Sequence, residues 1–308
     1  MLDNFLIVLQ QVLVLFLLML TGYLLGKYRY FTEETIRGLN FVILNLALPC
    51  TIIRAFQMEH TDTMLQNFLL CIGVSVLLHA LFFLVTVPLA RKIPEGDRGI
   101  YVLSSSLTNC SFMGFPLQEA LLGTVGILYS SGYVFVMNLF TFTAGYYVFT
   151  GDKKSISPKQ IITRPAILGT IVGLVLFLMN IPLPGVVSTL VGHVANLTVP
   201  LPMFIIGYHL SRVDFSVMLK NRLHWLFSGL RLIVLPLLII AVLALLPLEN
   251  EVFLSLVVSA SCPTATAVTI LASRFTDKGA LSAELGAMQT LLSLLTLPVM
   301  LAIAGLFI

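Results

Sequence analysis

Charge is what this chain has least of. Asp, Glu, Lys and Arg together make up 10% of its 308 residues, against 58% hydrophobic side chains. A soluble domain covers its surface with roughly a quarter charged residues. The deficit, with a mean hydropathy of +1.02, excludes a water-exposed globule and implies an integral membrane protein with little outside the bilayer. No long polar linker occurs, so a single transmembrane domain over 1–308 without a soluble module is expected. The start, Met1-Leu2-Asp3-Asn4, lacks the basic residues that open a cleavable signal, and the apolar run behind it reaches about Leu25, long enough to span. Cysteines number four (Cys50, Cys71, Cys110, Cys262), all inside apolar segments and without disulfide or metal-site spacing, and they read as small buried hydrophobes. Serines are plentiful, but no Gly-X-Ser-X-Gly, His-Glu-X-X-His or paired aspartates accompany them. No enzyme, catalytic residue, metal ligand or cofactor is therefore expected.

A spanning helix needs about 20 apolar residues. That window selects ten spans, at about 5–26, 35–57, 66–90, 98–121, 125–150, 163–180, 184–211, 221–247, 251–273 and 280–307. The connections between them divide the basic residues cleanly. Lys27, Arg29 and Arg37 lie between spans one and two; Arg91, Lys92 and Arg98 between three and four; Lys153, Lys154, Lys159 and Arg164 between five and six. Arg212, Lys220 and Arg222 follow span seven, and Arg274 and Lys278 follow span nine, so 15 of the 17 basic residues fall on one side. The opposite loops carry Glu59, Asp62, Glu249 and Glu251, with Arg54 their only base. By the positive-inside rule both termini are expected on the non-cytoplasmic side of the cytoplasmic membrane.

Five spans per half make the second half enter the membrane the opposite way round, as an inverted repeat of about 5–150 and about 163–307. Internal matches agree. Asn45-Leu46-Ala47-Leu48-Pro49 returns 151 residues later as Asn196-Leu197-Thr198-Val199-Pro200, and Gly22 and Gly173 are also 151 apart. Met64-Leu65-Gln66-Asn67 resembles Met218-Leu219-Lys220-Asn221 at a separation of 154. An amide beside a helix-breaking proline in mid-membrane marks a broken helix.

Spans four and nine are broken as well. Span four reads Ser104-Ser105-Ser106-Leu107-Thr108-Asn109-Cys110-Ser111-Phe112-Met113-Gly114-Phe115-Pro116, and span nine reads Ser259-Ala260-Ser261-Cys262-Pro263-Thr264-Ala265-Thr266. Backbone freed by proline must be re-satisfied by hydroxyls, water or a ligand, because lipid offers nothing. Small side chains let two such segments pass closely, and helix N-termini aimed at the crossing favour an anion. Tight ligand-free packing and a simple kink are the plainer account of the same residues.

The run from Asn109 to Leu117, the Asn45/Pro49 pair, and Cys262 to Thr266 leading on to the stretch from Leu291 to Pro298 resemble the auxin efflux carrier family, in particular its bacterial permease branch, over essentially the whole chain. The resemblance implies an all-α membrane fold of ten transmembrane helices in two inverted five-helix repeats, with helices four and nine crossing at their prolines. It implies a scaffold of helices one, two, six and seven, a transport part of three to five and eight to ten, and an elevator motion. Family members carry small organic anions: auxin in plants, dicarboxylates such as malate or malonate in bacterial relatives. Carried over by motif, the substrate site comprises Asn109, Cys110, Pro116, Pro263, Thr264 and Thr266, with Asn138 added as either a substrate contact or an interhelical bond. Where many relatives have an amide, this chain has Ala267 or Val268, which leaves the substrate's identity open.

Asn45, Pro49, Asn196 and Pro200 fall on the scaffold, capping freed backbone or lining the path. Arg231 and Glu284 are the ionisable candidates for coupling, as a charge pair or as two residues snorkelling separately. Glu119 reads as interfacial, and His79, His193 and His209 as neutral helix residues. A sodium/proton antiporter of related architecture would need carboxylates at the crossing, which spans four and nine lack. A sodium- or proton-coupled symporter stays open, since carbonyls, hydroxyls, Gln118 and Gln289 can ligate sodium. The expected partners are a small organic anion, the lipid bilayer, a proton or sodium ion as coupling candidates and a second copy as a candidate homodimer, with no nucleic acid.

Overall fold

In the computed structural model, which describes residues 2–59, 61–151 and 158–308, the chain is all-helical; the only extended pairing among the described residues is one isolated bridge. Lys153 and Lys154 lie outside the described residues. The helices are α1 (Leu2–Lys27), α2 (Glu33–Ala55), α3 (Asp62–Leu89), α4 (Glu95–Ser106) and α5 (Cys110–Thr150). After α6 (Pro158–Ile162) come α7 (Pro165–Leu178), α8 (Gly185–Leu210), α9 (Phe215–Lys220) and α10 (Arg222–Leu243). The chain closes with α11 (Asn250–Ser261), α12 (Thr266–Phe275) and α13 (Gly279–Ala304). Seven of these helices are long and apolar enough to cross a membrane (α1, α2, α3, α5, α8, α10 and α13), and α7, α11 and α12 are shorter apolar helices. The protein is integral to a membrane.

Helix α5 covers two of the sequence windows without an intervening loop. Its continuity is broken at Gly123, with φ 64° and ψ −149°. Residues 118 and 126 would lie about 12 Å apart along one helix axis, yet a Cβ on Gly126 would come within 2.8 Å of the Gln118 carbonyl oxygen. The chain therefore turns back on itself at Gly123, a backbone conformation essentially reserved for glycine.

Glycine also sets the closest helix pair. A Cβ on Gly22 of α1 would overlap the backbone of Phe204 in α8, and one on Gly207 would overlap the Met19 carbonyl. From Gly22 against Phe204 to Gly26 against Tyr208 and Ser211 the partners advance together, so α1 and α8 run parallel in backbone contact. The equivalent join on α7 has Gly169 against Pro49 and Gly173 against Phe56, both partners on α2.

Each Asn-Leu-X-X-Pro copy deforms its helix just before the proline. Asn45 sits in a π-turn, Ile43–Ala47, and donates Nδ2 to Phe41 O at 2.9 Å; Asn196 opens a 3-10 turn, Asn196–Thr198. The two deformed stretches are tied together by Thr51 Oγ1, 2.7 Å from Thr198 Oγ1 and donating to Ala195 O at 3.2 Å.

Gly207→Ala forces α1 and α8 apart and lowers stability by about 1–3 kcal/mol. Gly123→Ala costs a similar ~1–3 kcal/mol from backbone strain alone, since a Cβ there meets open space. Thermal melting of the purified variants checks both; an unchanged Gly123→Ala would mean the turn does not need its left-handed backbone.

Candidate functional site

The chain leaves α4 at Ser106 and resumes helix at Cys110; it leaves α11 at Ser261 and resumes at Thr266. The two unwound stretches lie antiparallel, Thr108 opposite Thr264, and satisfy each other. Asn109 N donates to Pro263 O at 2.7 Å and Ala265 N to Leu107 O at 3.0 Å. Without that exchange, backbone groups freed in an apolar interior would each carry a penalty of several kcal/mol. Four helix ends converge at this point: the C-termini of α4 and α11 and the N-termini of α5 and α12. Unpaired N–H groups in the first turns of α5 and α12 give those two ends partial positive charge.

Both N-termini border a cavity of ≈ 180 Å³. Thr108, Asn109 and Ser111 line it from the start of α5, Asn138 and Thr141 from farther along that helix, and Thr266 and Ala267 from the start of α12. Asn40, Leu44 and Leu48 of α2 form the facing wall, and Arg164 and Arg274 complete it. Asn109 is only 4% exposed, and its side-chain amide has no bond to the other described residues. The Arg164 guanidinium stacks over Phe142 at 3.9 Å from the ring centroid, and the more exposed Arg274 lies 5.4 Å from that of Phe275. No Asp or Glu occurs among the described residues lining the cavity. A half-buried concavity with two helix N-termini, two guanidiniums and no carboxylate among its described lining residues is electropositive.

The expected site residues divide. Asn109, Asn138 and Thr266 line this cavity; Asn138 donates Nδ2 to Val134 O at 2.8 Å within its own helix, not across to another. Pro263 supplies a carbonyl to the crossing, and Thr264 faces a smaller cavity of ≈ 50 Å³ beside His209. Cys110 is fully buried outside the cavity wall. Pro116 lines a different cavity, ≈ 200 Å³, together with Thr51, Arg54, Glu119 and Asn196. There Arg54 Nη1 donates to Asn196 Oδ1 at 2.9 Å and Arg54 Nη2 meets Glu119 Oε1 at 3.4 Å, joining α2, α5 and α8. Both ends of that ion pair are over 40% exposed, so it contributes about 0–1 kcal/mol.

One expectation needs correction. Arg231 and Glu284 do not pair: the Arg231 guanidinium is bonded to backbone carbonyls of α11 and its cap, and neither residue is in an ion pair among the described residues. Asn45, expected either to cap freed backbone or to line the path, bonds a carbonyl of its own helix, Phe41 O, and is exposed. Gln118 and Gln289 serve the crossing directly. Gln118 Nε2 donates to Ser255 O at 2.8 Å, and Gln289 Oε1 accepts from Thr264 N at 3.1 Å. Sequence alone does not single out Arg164 and Arg274, which read as two among many loop cations; their aromatic neighbours Phe142 and Phe275 are the one local hint.

The profile of a family described as "Membrane transport protein" matches residues 7–162 and 154–301. The chain belongs to this family, the auxin efflux carrier type. A relative described as an uncharacterized transporter from Methanothermobacter thermautotrophicus is 24% identical over 293 residues, 94% of this chain and 96% of its own length. Uncharacterized transporter MJ1031 of Methanocaldococcus jannaschii is 26% identical over 277 residues, covering 86% and 88%. Uncharacterized transporter YfdV of Escherichia coli (strain K12) is 21% identical over 280 residues, covering 86% and 87%. A transporter needs a site that releases its cargo, and the cavity beside the crossing offers polar contacts without a closed cage of charge.

If the cavity holds a carboxylate, Arg164→Gln weakens its binding about tenfold, and Arg274→Gln less, because charge-assisted bonds gain strength with burial. Ligand-dependent melting shifts read both; equal affinity in both variants would place the anion elsewhere.

Proposed function

We propose that this transporter moves small organic anions, carboxylates in particular, across the cytoplasmic membrane by an elevator-type alternation. The carrying observation is the carboxylate-free, two-arginine cavity at the N-termini of α5 and α12, with the unpartnered Asn109 amide on its wall. In this reading a carboxylate accepts from the Asn109 amide, from first-turn N–H groups and from the hydroxyls of Ser111 and Thr266. Arg164 and Arg274 raise the local anion concentration at the mouth. Ala267 adds an apolar face to the wall, which suits a ligand with a hydrocarbon body between or beside its charged groups.

The wider architecture proposed is ten crossings in two inverted repeats, about 5–150 and 163–307, with both termini on the non-cytoplasmic side. The reversal at Gly123 supports counting α5 as two crossings, and the α4–α5 and α11–α12 breaks support two interrupted ones. The matching glycine joins, Gly22 on α8 and Gly173 on α2, support the repeat and a scaffold of α1, α2, α7 and α8. The ≈ 200 Å³ and ≈ 180 Å³ cavities each lie between α2 and α5, where a moving part would slide past a fixed one. Cation antiport through carboxylates is disfavoured, because none lines the crossing cavity.

The deciding experiment is uptake or counterflow of radiolabelled dicarboxylates, monocarboxylates and indole acids into proteoliposomes, with and without proton or sodium gradients. Asn109→Ala abolishes flux while melting stays as in the parent protein. Unchanged flux in that variant would sink the site, and no flux with any carboxylate would sink the substrate class.

A further inference from the structure

Arg231 is the one Lys, Arg, Asp or Glu side chain buried among the described residues, and the anion site does not use it. It lies in α10, 0% exposed, in a π-turn spanning Leu230–Val234. Arginine does not lose its proton in proteins, so its charge is permanent. None of the ion pairs among the described residues includes it. Its partners are carbonyls. Nη2 donates to Ala260 O and to Cys262 O, each at 2.6 Å, and Nε donates to Cys262 O at 3.1 Å. The Phe82 ring covers it at 5.2 Å from the centroid, while Nη1 has no partner.

Those carbonyls are the ones the broken helix sets free. In an unbroken α11 the Ala260 oxygen would accept from Thr264 N, but that N–H is turned to Gln289 Oε1. Pro263 has no N–H to offer. The C-terminus of a half-helix with bare carbonyls is partially negative, and in broken-helix transporters such ends are ligands for a sodium ion. Here a guanidinium lies in that position. The first half is built differently: Ser106, the last residue of α4, has its hydroxyl 2.9 Å from Thr86 Oγ1, a neutral partner.

We infer that Arg231 is a built-in replacement for a coupling cation: it neutralises the carbonyl end of α11, so the crossing assembles without a bound sodium or potassium ion. Calling the replaced role coupling rests on the transport reading; the electrostatic substitution does not. The prediction is that wild-type architecture is indifferent to the monovalent cation, and that removing the guanidinium exposes a carbonyl cage that then requires one.

The test needs no substrate, so its outcome is independent of whether carboxylates are carried. Purified protein is melted in NaCl, KCl or choline chloride at about 0.15 M. The wild type melts at one temperature in all three salts. Arg231→Ala melts lower in choline and regains at least half of the lost shift in sodium or potassium. A wild type that melts higher in sodium than in choline overturns the inference, as does an Arg231→Ala protein as stable in choline as its parent. If Arg231→Ala folds in none of the salts, Arg231→Lys decides. Folding with cation-indifferent melting supports the substitution, and failure equal to alanine's overturns it, because charge alone would then not meet the need.

Discussion

Two hydrogen bonds between unwound strands of chain, Asn109 N to Pro263 O and Ala265 N to Leu107 O, hold the interior of this protein together. A membrane interior penalises every unpaired backbone group, so neither break could exist alone at this depth. Each supplies the donor and acceptor the other lacks. Once both exist, four helix ends are fixed at one point with their polarities set. The positive ends of α5 and α12 open onto a cavity, and the negative end of α11 faces Arg231. The positive potential of the cavity and the buried arginine are thus two consequences of one backbone exchange.

The surroundings are arranged to keep that exchange rigid. Gln118 braces α5 against α11 through Ser255 O and Ser259 Oγ, and Gln289 on α13 takes up the Thr264 N–H. Several buried hydroxyls nearby, among them Ser104, Ser105 and Ser261, make no bond to protein, the expected mark of a polar interior shaped for function as well as for packing. The α1–α8 pair is held by the opposite means: glycine lets backbones touch, and dispersion replaces polar bonds. One group of helices is therefore closed by shape, the other by hydrogen bonds around its breaks.

Much of this was legible in the chain itself. For α1, α2, α3, α8, α10 and α13 the apolar windows agree with the helix bounds to within a few residues, since hydropathy and length select helices that can cross a membrane. The breaks were legible because Pro263 and the run Ser104–Asn109 cannot be ordinary lipid-facing helix. Asn109 and Thr266 were singled out by motif, and both line the cavity proposed as the substrate site. Pro116 was assigned to the same site but lines the other cavity, because it lies about two turns of α5 beyond Asn109.

Composition and pattern determined that the chain lives in a membrane, that it is helical, and where its helices fail, since each depends on properties of a few consecutive residues. Tertiary structure decided the partners of those failures. That Arg231 meets the Ala260 and Cys262 carbonyls and not Glu284, and that Arg164 and Arg274 reach one cavity from distant segments, depends on how helices far apart in sequence pack. A charge in mid-span announces only that it needs compensation; a backbone dipole at the end of another helix answers as well as a carboxylate, and no local sequence signal separates the two.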